Sequence, residues 1–134
     1  MPSKLTLCKL NHPETNDLNS QLQWFSRSLG LFSTRDKEKS CFRIFIALIE
    51  AKKARRFLSS DELAEKSNLT RATIIHHLKN LEAHGLIKQE NNRYALSYNT
   101  LSLLVKSLSS ELTAILEDLE ASAEELDKKL ELKN

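Results

Sequence analysis

Between Thr70 and Asn80 the chain spaces its polar groups so that they gather on one side of a helix. If Ile74, Leu78 and Leu81, at intervals of four and three, face a core, helical geometry puts Ala72, His76, Lys79 and Asn80 on the opposite side, with Thr73 and Ile75 at its flanks. Thr70 and Arg71 then stand at the helix start, where unpaired N–H groups and the helix dipole favour an anion such as phosphate. An imidazole, an ammonium and a carboxamide on one face, with a guanidinium at the helix start, can hydrogen-bond to the edges and phosphates of a nucleic-acid duplex. Arg and Asn suit base edges, whereas Lys79 suits a base or a phosphate equally. Thr70, Arg71, Thr73, His76, Lys79 and Asn80 are therefore candidate contacts to double-stranded DNA.

Other chemistries find less support. His76 and His77 are neighbours, and adjacent helical residues point about 100° apart, which prevents easy chelation of one metal ion. His77 lies beside the apolar stripe and reads as a structural contact. Cys8 and Cys41 stand apart without paired metal-ligand spacing. The serines are scattered over caps and helix faces, no glycine-rich phosphate loop occurs, and no paired acids form a cleft motif. The expectation is a protein without catalytic activity, metal or cofactor.

The elements that must position the polar face are legible on both sides of it. Ser59 followed by Glu62 forms a capping box, and Asp61 and Glu62 suit the positive end of a helix starting near Asp61. That helix is short, because Asn68 ends it and Thr70 can cap a second helix beginning at Arg71. Leu69 is left to plug the angle between the two. Gly85 supplies a left-handed residue that closes the second helix. Asn91-Asn92, between Ile87-Lys88-Gln89-Glu90 and Arg93-Tyr94-Ala95-Leu96, predicts a two-residue hairpin turn. Helix, three-residue turn, helix and hairpin in this order are the signature of a winged helix-turn-helix, with Arg93 near the tip of the wing.

The run TRATIIHHLKNLEAHGLIK resembles the recognition helix and following strand of ArsR-type and MarR-type winged-helix transcriptional regulators, and HHLKNLEAHGLI is especially similar to archaeal members. The likeness covers roughly residues 35–96. It implies major-groove reading by the second helix, and Arg93 resembles the wing arginine that enters the minor groove in related folds. A solvated turn residue is the other reading of Arg93. The metal sensors of the ArsR type use cysteine clusters near the helix-turn-helix, or acidic and histidine ligands in the terminal helices. Here the first of the two helices has no cysteine and the C-terminal segment has no histidine.

The chain has 134 residues, 40% of them hydrophobic and 28% charged, which suits one compact domain with an added assembly element. Two glycines and two prolines predict a mainly α-helical protein with a small β-hairpin wing. No signal peptide or long apolar span is evident, so the expected compartment is the cytoplasm, in association with the nucleoid. Residues 1–34 carry a charge of +1, residues 35–98 of +5 and residues 99–134 of −4, so the basic excess falls on the winged helix. Lys52, Lys53, Arg55 and Arg56 form the densest basic run, open to either phosphate contact or plain solvation.

Three parts are expected: an arm with an amphipathic helix over 1–34, the DNA-binding domain over 35–98, and a long helix over 99–134. In the first, Thr15-Asn16-Asp17 can cap a helix whose Leu18, Leu22, Phe25 and Leu29 share a face, ended by Gly30. After the linker Leu31-Phe32-Ser33-Thr34, a helix from about Asp36 to Lys53 is expected to turn Phe42, Phe45, Ile46 and Ile49 to the core, followed by a short strand at Phe57-Leu58.

From about Thr100 to Lys133 no glycine or proline intervenes, and Leu101, Leu104, Leu108, Leu112, Ile115, Leu119, Ala123, Leu126 and Leu130 recur at intervals of three, four and four. An eleven-residue repeat has about 3.67 residues per turn and predicts nearly straight or weakly right-handed packing rather than a heptad supercoil. At about 1.5 Å per residue the helix would reach about 50 Å. Its stripe can be covered by a second subunit, with Leu101, Leu104, Leu108, Leu112, Ile115, Leu119, Leu126 and Leu130 as the dimerisation seam, or by the first helix of the same chain.

These features point to a homodimeric, sequence-specific double-stranded DNA-binding regulator. Two competitors stand beside it. One is an archaeal-type nucleoid-associated architectural protein that joins winged helices through a long stalk. The other is a winged helix used for docking to protein, which need not place Arg71, Lys79 and Arg93 on one side.

Overall fold

The computed structural model describes residues 7–31 and 39–134. The start of a helix near Asp36 and the linker residues Phe32, Ser33 and Thr34 lie outside these. The elements are α1 (Leu18–Ser28), α2 (Ser40–Lys53), β1 (Leu58–Ser59), α3 (Ser60–Ser67), α4 (Arg71–Ala83), β2 (Ile87–Glu90), β3 (Arg93–Leu96) and α5 (Leu101–Lys129). The backbone divides into two units between Ser97 and Tyr98. Among the described residues no helix is long and apolar enough to cross a membrane.

In the first unit α2 is the hub, packing against α3, α4 and β3. Neighbours on three elements cover a wide arc of α2, so Cys41, Phe42, Ile44, Phe45, Ala47, Leu48 and Ala51 are all buried. Ile44, Leu48 and Ala51, spaced four and three, form the centre of that arc. This corrects the expected inward set: Phe42 and Phe45 belong to it, whereas Ile46 and Ile49 fall at its edge and are half-buried. Leu63 of α3 and Ile74, Leu78 and Leu81 of α4 complete the core from the other side. Each such side chain contributes about 1.5–3 kcal/mol by leaving water.

The three strands form an antiparallel sheet in the order β1-β3-β2. β1 begins at Leu58, one residue later than the expected strand at Phe57, because the α2 end consumes the preceding residues. There Arg55 takes a left-handed conformation (φ 57°). The amides of Arg55 and Arg56 donate to Lys52 and Ala51 at 3.0 and 2.8 Å, the paired bonds that close a helix.

α1 starts as expected at an Asp17 cap, whose carboxylate accepts from the Ser20 amide at 3.0 Å. The hydroxyl of Thr15 also donates to Asp17. These bonds, led by that of Thr15, hold the Asp17 carboxyl down at a pKa of about 2. Gly30 (φ 74°) follows the helix end, as its position requires. Of the expected apolar face, Leu29 is buried, Leu22 and Phe25 are half-buried, and Leu18 is exposed.

In the second unit Thr100 caps α5 by accepting from the Leu103 amide at 3.1 Å. The helix stops at Lys129, short of the expected Lys133. Glu131 turns left-handed (φ 58°), and the Leu132 amide donates back to the Asp127 carbonyl at 2.9 Å. The resulting helix of 29 residues is about 44 Å long rather than about 50 Å. Leu104 is buried, and Leu101 and Leu108 are half-buried. From Leu112 onward the stripe is exposed, reaching 60% at Leu119 and 63% at Leu130.

Candidate nucleic-acid interface

The helix-turn-helix forms through local chemistry that leaves little freedom. The Ser59 hydroxyl accepts from the Glu62 amide at 3.1 Å while the Glu62 carboxylate accepts from the Ser59 amide at 3.0 Å, the reciprocal pair of a capping box. Asn68 ends α3 in a left-handed conformation (φ 53°), which asparagine tolerates. Thr70 caps α4 by accepting from the Thr73 amide at 3.2 Å. A link not foreseen from sequence comes from α2. Arg43 donates through one guanidinium nitrogen to the backbone carbonyls of Ser67 and Asn68, the latter at 2.9 Å. It thereby satisfies carbonyls left over at the α3 end and ties the turn to the core helix.

This scaffold presents α4 with Ile74, Leu78 and Leu81 inward and Arg71, Ala72, His76, Lys79 and Asn80 exposed. Thr73 is half-buried, and the Thr70 hydroxyl donates to its hydroxyl at 2.9 Å. Arg71 lies 3.8 Å from the Asp61 carboxylate, with both side chains more than two-thirds exposed, a geometry worth little and easily exchanged for a phosphate. His76 meets the half-buried His77 edge to face, with ring centres 5.3 Å apart. His76, Lys79 and Asn80 thus share one exposed face, and Arg71 is exposed at the helix N-terminus, where the dipole favours an anion.

The wing follows the expected hairpin. Asn91 and Asn92 both have positive φ (51° and 62°), the combination of a tight turn matched to strand twist, and Glu90 pairs with Arg93 across it. Arg93 is exposed, and β1 brings Ser59 alongside it. Arg93 therefore lies close enough to α3 that its charge, together with that of Arg56, adds to the hydrogen bonds from Ser59 in lowering the Glu62 pKa. Arg56 itself reaches the Glu62 carboxylate at 3.4 Å.

The basic run divides between structural and outward roles. Lys52 donates to the Leu96 carbonyl at 3.1 Å and so fastens α2 to the wing strand. Lys53, Arg55 and Arg56 are exposed. Lys88, which sequence reasoning passed over, is also exposed on the wing, with its ammonium 5.7 Å from the centre of the Phe57 ring. Its signal was present, since alternation along β2 turns every second residue to one face.

Residues 47–88, from the middle of α2 into β2, match a family model described as winged helix-turn-helix DNA-binding. No curated protein and no solved structure matches the chain.

Proposed function

We propose that the protein is a homodimeric, sequence-specific regulator of transcription that binds double-stranded DNA in the cytoplasm, of the ArsR/MarR winged-helix type. The single observation that carries the reading is the α4 face. His76, Lys79 and Asn80 are exposed together opposite Ile74, Leu78 and Leu81, with Arg71 exposed at the helix start, on a segment that matches a DNA-binding family. In this reading α4 enters the major groove. His76 and Asn80 meet base edges, Arg71 and Lys79 meet bases or phosphates, Thr70 and Thr73 assist at the helix start, and Arg93 contacts the backbone or minor groove.

The proposed division is an arm over 1–34, the reader over 35–98 and the dimerisation helix over 99–134. Support for the dimer is the stripe at Leu112, Ile115, Leu119, Leu126 and Leu130, which is exposed along about 27 Å of helix. Leu116, also exposed, widens that stripe and was not part of the expected seam. Leu101, Leu104 and Leu108 are at least half-buried and contribute less to it. Two copies would present two α4 helices to two half-sites, as paired readers do.

The test is a selection of duplexes from random sequence, followed by titration of the selected and random duplexes at several salt concentrations. A site-specific regulator binds its selected site about 10³-fold or more tightly than random duplex. Equal affinity for every duplex would replace this reading with an architectural one.

A further inference from the structure

Between the turn after α2 and the β2–β3 hairpin lies a cleft of about 470 Å³ lined by Arg55, Arg56, Phe57, Glu90, Asn91 and Arg93. It forms because the turn after α2 and the wing hairpin meet where β1 pairs with β3. We infer that this cleft grips one backbone phosphate of duplex DNA, with Arg55 and Arg93 as the contacting residues and Phe57 as an apolar wall. The inference rests on the DNA-binding reading and adds to it Arg55, a contact from outside both the recognition helix and the wing, acting together with Arg93.

The charge balance identifies the ligand. Three guanidinium groups line one cleft, an arrangement in which like charges repel. Two carboxylates offset part of this: Glu62, which holds Arg56 at 3.4 Å, and Glu90 on the cleft wall. One positive charge is left over, which matches the single negative charge of a phosphodiester. The volume is many times the roughly 30 Å³ share of a water molecule, enough for a phosphate with part of its sugar. Arg55 also sits in a left-handed conformation at a helix end, where glycine is the residue that local structure favours. The backbone there favours glycine, and the arginine places a cation at the cleft.

The left-handed backbone provides a clean test. Arg55→Gly removes the charge at a position suited to glycine, so the melting temperature of the full chain should hold or rise. Arg55→Asn, also tolerant of positive φ, is the second variant. Fluorescence anisotropy on selected and random duplexes over a range of KCl concentrations should show a log–log salt slope smaller by about 0.9 for each variant, and up to about eightfold weaker binding at 0.1 M salt, equally on both duplexes. Glu90→Gln should tighten binding.

Parental affinity and slope in both Arg55 variants would overturn the inference. A loss confined to the selected duplex would assign Arg55 to a base instead. Thermal protection of the parent by inorganic phosphate beyond that of chloride at equal ionic strength, absent from Arg55→Gly, would assign the cleft to a small free anion. A parent that binds no duplex would remove the DNA reading itself, an outcome distinct from all of these.

Discussion

The α4 face and the α5 stripe are opposite solutions to the same problem of what a helix does with its surface. α4 buries Ile74, Leu78 and Leu81 within its own unit, so its polar side is held in place and free to meet a ligand. α5 keeps Leu112, Ile115, Leu119, Leu126 and Leu130 exposed, and in the proposed function this apolar side meets the second copy. Single exposed leucines are ordinary, whereas a continuous stripe marks an interaction surface. In the proposed function, the polar face on a complete core is the reading surface and the exposed apolar stripe is the assembly surface.

The comparison breaks most decisively at α5. Ile115→Asp combined with Leu119→Asp should convert a dimer to a monomer, because unpaired carboxylates in an apolar seam cost several kcal/mol. Light scattering checks it, and a monomeric parent at tens of micromolar would end the assembly reading. At α4 the apolar side is already committed, so Leu78→Ala should cost about 2–5 kcal/mol of folding stability without changing the oligomeric state. Chemical denaturation measures that loss. Had the two helices the same role, both changes would act on assembly.

A smaller effect sharpens the contrast within the reading surface. Ser59→Ala should destabilise by about 1 kcal/mol through loss of the capping bond to the Glu62 amide, visible as a lower denaturation midpoint. Smallest is the cap of α1. The Asp17 carboxyl is held at about 2, below its ordinary 3.8, so its contribution is complete above pH 3.8 and is lost as pH falls through 2. Amide exchange of Ser20 should accelerate over that window relative to the amides of α4, and should not in Asp17→Asn.

Capping signals were the most legible part of the fold. Asp17, Ser59 and Thr70 each accept from the amide three residues on, and Asn91-Asn92 forms the hairpin turn, because these choices depend on a few neighbouring residues. What sequence missed depends on long-range packing. Ile46 and Ile49 fit an apolar pattern, yet the arc covered by three neighbouring elements is centred on Ile44 and Leu48. Arg43 carries no local signal for its role, and only the fold brings it to the carbonyls at the end of α3. The same holds for the candidate site. Period alone picked out His76, Lys79 and Asn80 as an outward face, while the meeting of Arg55 with Arg93 required the sheet.

The most direct test of the central claim is anisotropy titration of Arg71→Ala, His76→Ala, Lys79→Ala and Asn80→Ala on a selected and a random duplex. The account predicts that removing His76 or Asn80 erodes discrimination between the two by about 1–3 kcal/mol for each good base contact. A phosphate contact at Arg71 or Lys79 would show instead as equal weakening on both duplexes. Unchanged affinity in all four variants would contradict the claim that this face reads DNA, and would favour a winged helix that docks to protein.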